Sequence, residues 1–91
     1  MPLLKMDVEA VSTVQQQLLA ARRTMDGHAS TLNSLVQGMV GSTWVAPGAE
    51  KFREEFSAWL TSTRALLEAL EQNGQRLGQE ITKWQDEAQT Y

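Results

Sequence analysis

The chain has 91 residues, a formal net charge of −3 and no cysteine. That length holds one small domain and leaves much of its surface uncovered. The scattered basic residues do not form the positive stripe of a nucleic-acid binder, and disulfides, thiolate metal sites and thiol nucleophiles are excluded.

The opening, Met1-Pro2-Leu3-Leu4-Lys5-Met6-Asp7, has no apolar run of secretory-signal length. No later stretch reaches the roughly 18 to 20 apolar residues that span a bilayer. A soluble protein without a membrane span is expected. Asp7 is the expected N-cap of a first helix, its carboxylate accepting unpaired N–H groups of the first turn, with Met6 and Val11 as a hydrophobic staple across it. From there Val11, Leu18, Met25, Leu32 and Met39 recur seven apart, and Val14, Ala21, His28 and Leu35 run three residues on. Two such columns read as an a/d seam sustained along the helix. Gly41, which takes a left-handed backbone at least cost, ends this helix after about Val40. Gly27 and Gly38 each cost about 1 kcal/mol against alanine, so the seam rather than propensity carries the assignment.

A connection over 41–46 leads to Pro47, which suits a first helical position because it has no N–H to lose. The second helix is expected from Pro47 to about Glu87. Phe56, Thr63, Leu70, Leu77 and Trp84 form its central column; Phe52, Trp59 and Leu66 widen it early, and Leu60, Leu67, Ile81 and Ala88 later. This drift implies a gentle left-handed wrap. Gly74 and Gly78 mark a thin or flexible stretch, and the tail 88–91 is expected to fray because Asp86 and Glu87 oppose the negative end of the helix dipole. The whole chain, 1–91, reads as one all-α domain, an antiparallel two-helix hairpin.

Phe52, Phe56, Trp59, Leu60, Leu66 and Leu67 cannot all face one neighbouring helix. Pairing of the hairpin with itself or a sister chain into a four-helix bundle is therefore expected. Its seam would use Val11, Leu18, Met25, Leu32 and Met39 of the first helix with Phe52, Phe56, Trp59, Leu66, Leu70 and Leu77 of the second.

Little in the chain suggests catalysis. His28 is the only histidine; Asp26 points to another helical face, so the two make no oriented dyad, and a tolerated polar residue at the seam's edge is the better reading than a pH switch. Glu50, Glu54 and Glu55 lack organised ligand spacing and suit a solvated helix N-terminus. With no phosphate-binding glycine loop and no nucleophile elbow, no enzyme, cofactor or metal is expected. Trp44 stands apart. An aromatic this large in a short turn is either a plug capping the end of the bundle, the reading physics alone favours, or an exposed anchor for a receptor.

Trp44 in the central turn, Phe52 eight residues on, the antiparallel seams and the length together resemble the WXG family. These are the small, early secreted antigenic target-like helical-hairpin proteins of type VII secretion. The opening Lys5 to Val11 is similar to the family's first-helix start. At the turn motif Trp44-Val45 is followed by Ala46 where the family has glycine, and Gly48 stands two positions further on. Near the end, Trp84 holds the place of the family's export-tail tyrosine, while Ala88 stands where an acid is expected and Asp86 and Glu87 come earlier. The resemblance implies a dimeric substrate or adaptor, cytoplasmic before export and then secreted without a cleavable signal peptide. Its implied partners are itself or a sister hairpin, and a secretion ATPase that reads the turn of one chain with the tail of another. A generic dimeric helical interaction module without a secretion role is the alternative.

Overall fold

The computed structural model describes residues 4–90, with side chains through Glu87. Met1, Pro2 and Leu3 of the opening lie outside the described residues, as do Tyr91 and the side chains of 88–90 in the tail. The described residues form two helices, α1 (Val8–Met39) and α2 (Pro47–Thr90). Asp7 caps α1, its carboxylate accepting from the Ala10 N–H at 3.1 Å. At the other end Gly41 has φ +90°, the left-handed backbone expected of it. The Met39 carbonyl accepts from the N–H groups of Thr43 and Trp44 at 3.0 and 3.1 Å, and the Trp44 carbonyl accepts from Gly41 at 3.0 Å. This closes the turn and satisfies carbonyls that a helix end leaves unpaired. α2 starts at Pro47 as expected and runs to Thr90, three residues past the expected end at Glu87. Ala88, Gln89 and Thr90 contain no helix breaker, and the unfavourable dipole term of Asp86 and Glu87 is only a few tenths of a kcal/mol to about 1.

The hairpin is a rod of 68 × 20 × 18 Å with a radius of gyration of 20.5 Å, against about 12 Å for a compact domain of this length. Arm faces arm along a constant register. Gln15 lies against Gly78, Leu19 against Gly74, Arg22 against Glu71, and the Val40 carbonyl meets Arg53. The inner stripe of α1 is Val8, Ser12, Gln15, Leu19, Arg22, Asp26, Ala29, Asn33, Val36 and Val40, all half-buried or buried. Opposite it, Ala49, Leu60, Leu67, Gly74 and Ile81 are buried.

Two expectations need correcting. The a/d columns of α1 do not form the seam between the arms, because that stripe is occupied by Val8, Leu19, Ala29, Val36 and Val40 interleaved with the polar Ser12, Gln15, Arg22, Asp26 and Asn33. Each residue advances about 100° around a helix, so the Val11–Met39 column, three residues on from Val8 and Val36, sits about 60° to one side. Nor is the Gly74–Gly78 stretch merely thin. A Cβ on Gly74 would run into the Leu19 side chain, and one on Gly78 would come within 2.7 Å of the Gln15 amide nitrogen. These glycines let the arms close together, and the Gln15 amide donates to the Gly74 carbonyl at 3.1 Å.

Candidate interaction face

An inner stripe of this kind leaves the large apolar side chains elsewhere. On α1, Val11, Leu18 and Met39 are half-buried at its margin, while Val14, Met25, Leu32 and Leu35 are exposed, Leu35 to 64%. On α2, Phe56, Leu70 and Leu77 are half-buried; Phe52, Trp59 and Leu66 are exposed, Leu66 to 71%. The three exposed side chains of α2 stand three residues on from the buried Ala49 and the half-buried Phe56 and Thr63, an offset of the same sense as that of the Val11 column on α1. Because the helices run in opposite directions, that offset turns to the same side of the hairpin in both. The two sets therefore form one continuous apolar face. The Val14, Ala21, His28 and Leu35 column lies a further 60° round, so the middle of the α1 seam points about a right angle away from α2. That is the direction in which the next helix of a four-helix bundle lies.

The opposite side is polar. Glu9, Gln16, Arg23, Ser30 and Gln37 line α1 there, with Glu50, Glu54, Arg64 and Glu68 on α2, and all are exposed. Hydrophobic burial scales with apolar area removed from water, and the apolar area left open to water is gathered on one side of the hairpin. The total accessible surface is 6949 Å², where a compact monomer of this mass exposes about 5,300 Å². The excess of about 1,600 Å² is more than the roughly 800 Å² that a standard interface removes from each partner.

At the turn end the face becomes an aromatic ladder. Trp44 meets Phe52 with ring centroids 6.0 Å apart, Phe52 meets Phe56 at 6.5 Å, and Phe56 meets Trp59 at 5.2 Å. Such spacings give each ring attraction beyond its area burial. Trp44 also rests over Gly48, whose Cβ, if present, would lie 3.7 Å from the indole. It nonetheless stays 40% exposed, beside an exposed Val45. Ala46 is exposed and accepts a hydrogen bond from the Ala49 N–H at 3.0 Å. Sequence reasoning missed Arg53, which ties this end together by donating to the Val40 carbonyl at 3.0 Å while pairing with Glu50 at 3.3 Å. Its position six residues into α2 carries no pattern that would have singled it out.

Farther along, the Phe52–Trp59–Leu66 column turns polar, continuing as Asn73 and Glu80. Trp84 is half-buried near the distal end; Asp86 and Glu87 beside it are exposed. His28 is exposed in the middle of the α1 face. Inside the hairpin, Arg22 reaches Glu71 at 3.6 Å and Glu68 at 4.0 Å. Among the described residues no group of three or more histidine, cysteine, aspartate or glutamate side chains could hold a metal ion, and no helix is long and apolar enough to cross a membrane.

Compared with protein-family models, curated proteins and solved structures, the chain matches none.

Proposed function

We propose that this chain is a non-enzymatic helical hairpin of the WXG type, a substrate or adaptor of a type VII secretion system that works as a dimer with itself or a sister hairpin. The reading is carried by one observation, the one-sided apolar face with a half-exposed tryptophan at its turn end. A hairpin that leaves Leu32, Leu35, Phe52, Trp59 and Leu66 outside on one side, beyond the few apolar side chains packed between its arms, is built to be covered. Trp44 touches Gly48 and Phe52 with part of its ring, and its exposed part is available to a receptor, which in this proposal is the secretion ATPase. The protein would be made in the cytoplasm and leave it folded and paired, without a cleavable signal peptide.

Replacing Trp44 by alanine tests this. None of the seam columns contains Trp44, so helicity and melting should stay close to the parent's, while loss of an aromatic anchor worth on the order of 2 kcal/mol or more lowers export. Circular dichroism melting is paired with the ratio of protein in culture medium to protein in lysate. A variant that unfolds makes Trp44 a structural plug; one that is stable and exported normally removes the receptor role. A parent that pairs but never leaves the cell, with a secretion ATPase present, leaves a dimeric interaction module without a secretion role.

A further inference from the structure

The apolar face also carries a reactive atom. The chain has no cysteine, so the thioethers of its methionines are the soft sulfur an oxidant meets. Of the described methionines, Met6 and Met39 are half-buried, while Met25 is 44% exposed. Resting on the reading of the hairpin as a pairing module, we propose that Met25 is an oxidation site. A peroxide converts its thioether to the sulfoxide in the unpaired hairpin, and the sulfoxide then opposes covering of the face.

Its place in the fold accounts for both the reactivity and the effect. Helical side chains lean toward the N-terminus, over the residues three and four positions back. For Met25 these are Arg22, which turns inward to Glu71 at 3.6 Å, and Ala21, which has no side-chain atom beyond Cβ. Neither covers the thioether. Met25 is also the middle residue of the Val11–Met39 column and, on the register between the arms, level with Glu68, between Leu66 and Leu70 of α2. It therefore lies at the centre of the face, where a seated partner excludes water most fully. In the reaction the peroxide O–O bond breaks, the sulfur gives up two electrons and takes one oxygen, and the peroxide is reduced to water. The new acceptor oxygen is solvated while the face is open, and covering it forfeits that hydration. No side chain of the Val11–Met39 column offers a hydrogen-bond donor in return. A sulfoxide reductase reverses the change, its two thiols closing to a disulfide as the oxygen leaves as water. Pairing shields the thioether in its turn, so oxidation and pairing exclude each other.

The test follows oxidation and pairing side by side. The purified hairpin, diluted until unpaired, is treated with hydrogen peroxide, and peptide mass spectrometry times the gain of one oxygen at each methionine. Met25 should oxidise several-fold faster than Met6 or Met39. Sedimentation, of the hairpin alone and mixed with a sister hairpin, should show pairing weakened about ten-fold or more by oxidation and restored by methionine sulfoxide reductases. Met25→Leu keeps volume and apolarity; it should pair as the parent does and lose the peroxide effect. Met25→Gln should pair as poorly as the oxidised parent with no peroxide added. The position is exposed in the hairpin, and circular dichroism confirms that each variant stays folded. Equal oxidation of the three methionines, an oxidised hairpin that pairs like the parent, or a Met25→Leu protein whose pairing peroxide still weakens would overturn the proposal. A parent that pairs neither with itself nor with a sister hairpin removes the pairing reading and the oxidation site's role together; one that pairs but ignores the state of Met25 removes that role alone.

Discussion

Gly74 offers the sharpest test of how closely the two arms approach. Replacing a mid-helix glycine by alanine ordinarily stabilises a helix by about 1 kcal/mol. At Gly74 the added methyl would collide with Leu19, whose Cγ would lie 3.0 Å away, and with Leu18 at 3.1 Å. Leu19 is half-buried in the inner stripe, so making room for the methyl shifts side chains packed between the arms, an overpacking cost of about 1 to 3 kcal/mol. The net effect of Gly74→Ala is therefore between neutral and about 2 kcal/mol destabilising. Gly27→Ala supplies the reference, because a Cβ there meets nothing within 4 Å and only the propensity gain remains. The difference between the two variants isolates the steric term at about 1 to 3 kcal/mol, or roughly 4 to 8 °C in melting temperature per kcal/mol for a chain of this size. Both are melted by circular dichroism at one protein concentration, since the proposed pairing would make the midpoint concentration-dependent. Equal stabilisation by the two substitutions would refute the close approach.

Two further outcomes follow from residues on the face and in the turn. Arg53→Ala, which removes the donor to the Val40 carbonyl and the pair with Glu50, should cost about 1 to 2 kcal/mol and speed amide exchange at Gly41 and Trp44; unchanged exchange there would show that the turn holds itself. His28→Leu replaces the one ring nitrogen pair in the α1 face with an apolar side chain and should tighten dimerisation, measured by sedimentation; weaker association would mean that the imidazole has a polar partner in the pair.

The helix boundaries were legible because single residues encode them. Asp7, Gly41 and Pro47 act through local backbone chemistry that needs no knowledge of the partner helix, and all three do what their chemistry requires. Which face turns inward was not legible. Periodicity reports where apolar residues recur, and on α1 the strongest recurrence, Val11 to Met39, belongs to the outer face. The inner stripe of Ser12, Gln15, Arg22, Asp26 and Asn33 resembles a solvated face until Gly74 and Gly78 are seen to bring α2 against it. The aromatic ladder was visible as spacing on α2, but its continuation through Trp44 depends on the turn geometry set by Gly41 and the Met39 carbonyl. Arg53 could not be found from sequence at all, since its partner is a backbone carbonyl.

The constant register between the arms also sets the order in which they part. At the turn, Arg53 and Val40 are 13 residues apart, whereas Gln15 and Gly74 near the open end are 59 apart. Closing the longer loop alone costs about 1.3 kcal/mol more in chain entropy, so contacts at the open end form cheaply only after those nearer the turn are in place. The hairpin therefore behaves as a zipper with a single closed end. Its amides should exchange in a gradient, slowest beside the Arg53 contact and fastest toward Val8 and the distal part of α2, and a hairpin pulled apart by its two termini should peel open progressively instead of breaking all at once.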